Sequence, residues 1–143
     1  MQNQRLVTEM TIYKRALIVP PDDIFDVHEF LKNTWDENAQ LAPADRYSIE
    51  TAIIELATNI FLYSEVTGRI SCEIVVEIHS NKVSVTMTDN GDLADLELDE
   101  HVMPDEFSES GRGIPLVRAL VDHFSYENTD RKNTWKISKK IHS

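Results

Sequence analysis

A two-layer α/β (α+β) sandwich, with helices on one side of a mainly antiparallel sheet, is the fold this sequence predicts. Three observations predict it. Apolar residues recur at helical spacing in three segments, and β-branched and aromatic residues with strand-like spacing fill the stretches between them. The segments follow one another as strand, helix, helix, hairpin, long loop, helix, hairpin, an order that places helices and a hairpin-built sheet in separate layers. At 143 residues the chain also has the size of one ordinary domain, so 1–143 is expected to form a single unit.

Leu6 to Val19 is rich in β-branched and aromatic residues and reads as one strand or a short hairpin. Pro20-Pro21-Asp22-Asp23 stops it and supplies a helix start. Ile24, Phe25, Val27, His28, Leu31 and Trp35 then recur at helical spacing, which predicts an amphipathic helix from Asp22 to about Asn38. Ala42-Pro43-Ala44-Asp45 is the next breaker, with Asp45 the expected N-cap. The second helix should run from about Asp45 to Val66 on a core stripe of Ile49, Ile53, Leu56, Ile60 and Tyr63, with Gly68 ending it. Strands over Arg69–His79 and Lys82–Thr88, joined at Ser80-Asn81, form a hairpin. From Asp89 to Ser110 the pattern is lost for about 20 residues, and a loop of that length in a small domain usually has a function or is disordered. A third helix is expected from near Arg112, carrying Ile114, Leu116, Val117, Leu120 and Val121. Phe124–Asn128 and Asn133–Ile141 close the chain as a second hairpin.

Composition narrows the function classes. The hydrophobic share of 41% and the charged share of 27% are those of a soluble globular protein, and no apolar run reaches the roughly 18 residues of a membrane span. Net charge is −11, a field that repels nucleic acid and anionic lipid and favours a protein partner with a basic surface. The charge is uneven, because Val83 to Gly111 holds nine acidic residues and no Lys or Arg. The single cysteine, Cys72, sits between Ile70 and Ile74 and reads as a buried small hydrophobe, in keeping with a reducing cytoplasm. The five histidines are scattered without paired metal-ligand spacing, and Ser64 and Ser110 have no His-acid set beside them.

Three local patterns can carry chemistry. Glu55 and Asn59 lie four apart on the second helix, stacked on one face beside its apolar stripe, where a carboxylate and a carboxamide can share a site. Taken alone, the pair also fits an ordinary half-exposed helix face. Asp89-Asn90-Gly91 follows directly on a strand, so Asp89 could accept a hydrogen bond from a base's exocyclic amino group while Gly91 permits a tight turn or close backbone approach. Gly111-Arg112-Gly113 is expected at a helix N-terminus, where free amides and the helix dipole favour a phosphate. No Gly-x-x-x-x-Gly-Lys-Ser/Thr run occurs, so a P-loop is excluded.

In combination, helix Glu-x-x-x-Asn, strand Asp-x-Gly, a long loop and helix-opening Gly-x-Gly resemble the GHKL ATPase superfamily. Its N-box is matched by Glu55-Leu56-Ala57-Thr58-Asn59, its G1 box by Asp89-Asn90-Gly91 and its G2 box by Gly111-Arg112-Gly113-Ile114. Small size and the run Ser110 to Leu120 look most like its anti-sigma factor serine-protein kinases, over about Thr11 to Lys139. The resemblance implies a Bergerat-type fold that binds ATP with Mg²⁺, with Asp89 on the adenine amino group and Asn59 on the metal. It implies that Gly91, Gly111 and Gly113 approach the nucleotide, that Arg112 contacts phosphate, and that Glu55 deprotonates a serine of a protein substrate. It also implies two partners, a sigma factor that is sequestered and a small anti-sigma-factor antagonist that is phosphorylated, and residues 92–110 as a lid ordered by nucleotide. Leu93 stands where many relatives have a second glycine, and Tyr63 where many have histidine. Two other readings fit the same motifs: a non-catalytic ATP-gated binding module, and a partner-switching kinase whose target is not a sigma factor. A homodimer is expected if the N-terminal strand leaves a sheet edge to be covered.

Overall fold

Ten residues of β1 (Met10–Val19) pair one-to-one and antiparallel with β2 (Ile70–His79), from Met10↔His79 to Val19↔Ile70, so this stretch is a single strand. The computed structural model describes residues 10–62, 68–91 and 108–141, with side chains throughout except at 108–113. The expected strand positions 6–9 therefore lie outside the described residues.

α1 (Ile24–Asp36) begins at a capping box. Asp23 accepts from the Phe25 N–H at 3.0 Å, and the Asp26 carboxylate accepts from the Asp23 N–H at 2.9 Å. The buried stripe is Val27, Phe30, Leu31, Thr34 and Trp35, whereas Phe25 is 75% exposed. The helix was predicted correctly, but its inner face is rotated towards Phe30 and away from Phe25 and His28.

α2 (Pro43–Leu62) starts two residues before the expected cap. Pro43 takes the first helical position, where a missing N–H costs nothing and the fixed φ is already helical, and Arg46 N–H donates to Ala42 O at 3.0 Å. Asp45 is therefore inside the first turn and 4% exposed, placed to complement the positive end of the helix rather than to cap it. Ile49, Ile53, Leu56 and Ile60 are buried as predicted, with Ala52 and Ala57 beside them, each large side chain contributing on the order of 2 kcal/mol by burial. The predicted continuation through Tyr63 to Val66 lies outside the described residues.

β2 turns at Ser80-Asn81 into β3 (Lys82–Asp89). α3 (Ser108–Leu120) follows, and β4 (His123–Thr129) and β5 (Lys132–Lys140) close the chain. Asp130 and Arg131 join the last two strands with φ of 56° and 64°, the two-residue left-handed turn that suits the twist of a hairpin.

All pairings are antiparallel, in the order β1-β2-β3-β5-β4. One face of the sheet packs its apolar positions (Leu17, Ile74, Val76, Val85, Met87, Trp135, Ile137) into a common core with the helices. The opposite face carries Ile12, Ala16, Ile18, Glu73, Thr88 and Lys136 and is uncovered by any described element. The predicted α/β sandwich is the fold observed. No described helix is long and apolar enough to cross a membrane.

Candidate functional site

Asp89 closes β3 on the core-facing side of the sheet and is 5% exposed. A carboxylate so buried needs donors, and it has three. Oδ1 accepts from the Gly91 N–H at 2.8 Å and from Asn133 Nδ2 at 2.9 Å; Oδ2 accepts from Trp135 Nε1 at 2.9 Å. The Gly91 contact closes an Asx-turn, so the Asp-Asn-Gly sequence is a turn as well as a site motif. Asn90 fastens the same turn to β2, its Oδ1 accepting from the Ser71 N–H at 2.8 Å.

Asn133 is held from all sides. It sits opposite Asp89 in the β3–β5 register, is 2% exposed, and its Oδ1 accepts from Asn128 Nδ2 at 2.9 Å and from the Tyr126 hydroxyl. Its Nδ2 also reaches Gly91 O at 3.4 Å. Trp135, 2% exposed, packs against Tyr126 at a ring separation of 4.4 Å. Asn133 and Trp135 were not among the residues the sequence nominated. The available signal was an asparagine on the apolar face of a predicted strand, two positions from a tryptophan.

Glu55 and Asn59 share one face of α2 as expected. Glu55 is half-buried, and Asn59 is 9% exposed with no hydrogen-bond partner among the described residues. Such a carboxamide offers a neutral oxygen. No described cluster of three or more His, Cys, Asp or Glu could hold a metal by itself. That donor set fits Mg²⁺, a hard cation that keeps several waters and takes few protein groups beside phosphate oxygens.

The glycine pair is placed differently from expectation. α3 begins at Ser108, so Gly111 lies in its first turn and Gly113 in its second, both inside the helix rather than at its start. Each glycine costs only about 1 kcal/mol relative to alanine, which a helix anchored by buried Ile114 and Val117 sustains. Pro115 has no N–H to give the Gly111 carbonyl, so the helix is weakest beside the pair. α3 packs chiefly on α2, so the two helices that carry Glu55, Asn59, Gly111 and Gly113 adjoin. The Arg112 side chain and residues 92–107 of the expected lid lie outside what is described, and its last three positions, 108–110, are not loop but the first residues of α3.

Burial pushes the Cys72 thiol up to about 12, with the Asp89 and Glu73 charges adding to it; Cys72 faces Asp89 across the β2–β3 pair. The expectation of an inert, buried thiol holds. A cleft of about 330 Å³ also opens beside Asp89, lined by Leu17, Cys72 and Asp89 from the core-facing side and by Ala16, Glu73 and Lys132 from the other.

The sequence model described as the histidine kinase-like ATPase domain matches residues 21–139. The serine/threonine-protein kinase RsbT of Bacillus subtilis (strain 168) is 36% identical over 94 residues, covering 63% of this chain and 68% of that protein. Among solved structures, the SiaB-SiaC complex from Pseudomonas aeruginosa aligns over 98% of this chain and 94% of that one, at 13% identity and a TM-score of 0.47, too low to carry weight. The family match spans β2, β3 and both motif-bearing helices α2 and α3, and the likeness to a serine/threonine-protein kinase agrees with the motifs. The chain belongs to the histidine kinase-like ATPase domain family, in the serine-protein kinase branch that its N-, G1- and G2-box residues resemble.

Proposed function

We propose that this protein is a cytoplasmic, single-unit serine-protein kinase that binds Mg-ATP, sequesters a sigma factor and phosphorylates a serine of a small anti-sigma-factor antagonist. The observation that carries the reading is the buried Asp89 carboxylate, held by three donors at the end of β3 with acceptor capacity to spare. In this family's motif order such a group is suited to the amino group of adenine. Asn59 would hold Mg²⁺, which supplies neutralisation of phosphate charge when bound. Gly91, Gly111 and Gly113 would let backbone approach the nucleotide, and Arg112 would contact phosphate.

Glu55 has no anion to bind and would repel one, so its role is to take the proton from the substrate serine hydroxyl. The serine oxygen then forms its bond to the γ-phosphorus as the bond to the β-phosphate oxygen breaks and ADP leaves. In such transfers the protein contributes mainly positioning and charge stabilisation. A homodimer is part of the proposal, supported by the exposed apolar side chains of edge strand β1.

The test is transfer of label from γ-labelled ATP to the purified antagonist, beside an ATP-binding titration. Glu55→Ala should keep ATP affinity and sigma-factor capture while transfer falls by about 10²–10⁴-fold, the usual worth of a general base. Asn59→Ala should impair both binding and transfer. Transfer by Glu55→Ala at the wild-type rate would remove Glu55 from its role. A wild type that binds ATP and its partner without transferring label would leave an ATP-gated binding module.

A further inference from the structure

The network around Asp89 does more than satisfy a buried charge. Resting on the reading of Asp89 as the base-recognising group, we infer that Trp135 and Asn133 are positioning residues that set the nucleobase specificity of the site. A carboxylate has roughly four lone-pair directions. The Gly91 N–H and Asn133 Nδ2 take both of those on Oδ1, at 2.8 and 2.9 Å, and Trp135 Nε1 takes one on Oδ2, at 2.9 Å. One direction on Oδ2 remains, and it is an acceptor.

Neither clamp can reverse its polarity. An indole nitrogen only donates, and the Trp135 ring is fixed against Tyr126 at 4.4 Å and Phe124 at 6.5 Å. Asn133 cannot flip its amide without setting its oxygen against the Asp89 carboxylate and its NH₂ against Asn128 Nδ2. With both oxygens pinned, Asp89 cannot rotate to relieve a mismatch. A base with an amino group at the recognised position completes the set, whereas a base with a carbonyl there sets acceptor against acceptor. Without the indole N–H, Oδ2 gains a second free direction, water can take it, and the carboxylate can turn. Discrimination should then fall even though Asp89 remains.

The experiment compares Mg-ATP with Mg-inosine triphosphate, which replaces that amino group by a carbonyl and turns the adjacent ring N1 from acceptor to donor, by calorimetric titration of the full chain. The wild type should prefer ATP by at least about tenfold, the scale of a lost hydrogen bond to a charged group. Trp135→Phe, which keeps an aromatic ring against Tyr126, should bring the ratio within about threefold while still melting cooperatively. A merely structural role would lower the melting temperature and leave the ratio untouched, and that result overturns the inference while sparing the nucleotide site. A wild type that binds both nucleotides equally refutes base reading by Asp89, and one that binds neither refutes the proposed function itself.

If Trp135→Phe does not melt cooperatively, the emission of Trp135 decides instead. Trp35 and Trp135 are the two tryptophans, and Trp35→Phe leaves only the second. Emission from that variant should respond to ATP and much less to inosine triphosphate. Equal responses, or none at saturation, overturn the inference.

Discussion

At Asp89 a substitution acts on stability and on ligand affinity through the same two oxygens. Asp89→Asn must place an NH₂ either against Trp135 Nε1 or against the Gly91 and Asn133 donors. Donor then meets donor in a buried place, which should cost about 1–3 kcal/mol in urea unfolding. ATP affinity should fall roughly ten- to 150-fold by calorimetry, through loss of a charge-assisted bond. Unchanged unfolding and unchanged affinity would together rule out the network as described. Cys72 offers a second test. Its thiol is raised by burial from 9.0 to about 12, so the unfolded chain loses this proton before the folded one does. The contribution is fully present below pH 9 and is lost as pH rises towards 12. Cys72→Ala should therefore flatten part of the decline in stability above pH 9, and the native thiol should resist a thiol reagent at pH 8 until the protein is unfolded. Residues such as Glu55, Asn59 and Asp89 were legible because a motif is a local spacing. Asn133 and Trp135 were not, because their contact with Asp89 arises from the register of β3 against β5, 44 and 46 positions away in sequence.

Elements were legible where apolar spacing was strong, and their boundaries failed where one residue type serves two purposes. Proline at 43 reads as a breaker but fits the first position of α2, so Asp45 moved inside the helix. Glycines 111 and 113 read as a helix entrance, yet α3 continues three residues before them. The hairpins were read well, because alternation of burial along β2 and β3 follows the period-two pattern of the sequence. At α1 the double aspartate correctly marked a start, and the structure supplies its mechanism in the reciprocal bonds of Asp23 and Asp26. Asp23→Ala should cost about 1 kcal/mol of stability. This cap belongs to α1, so ATP affinity should not change. A loss of affinity that exceeds the loss of stability would tie α1 to the nucleotide site.

For the molecule as a whole, the sheet has two unlike edges. β4 turns His123, Ser125 and Glu127 to the uncovered face, a polar rim of the sort that keeps edges from pairing. β1 instead shows Met10, Ile12 and Ile18 there, 43%, 45% and 42% exposed, with Lys14 and Ala16 between them. Among the described residues β1 has no partner along its outer side, and a ten-residue strand with mostly apolar side chains on one face is suited to a second copy of itself, because a two-fold axis makes such a contact self-complementary. The proposed homodimer should therefore be seen in sedimentation as a monomer–dimer equilibrium that moves with protein concentration. Ile12→Lys with Ile18→Lys should shift it to monomer, since burying two added ammonium groups without partners is unfavourable. Both side chains are already more than two-fifths exposed, so the double variant should lose little intrinsic stability in its thermal melt at low concentration. ATP binding should persist, because both residues face away from the core side where Asp89 lies. A wild type that sediments as monomer at every concentration would leave β1 an open edge, and a double variant that stays dimeric would move the interface elsewhere.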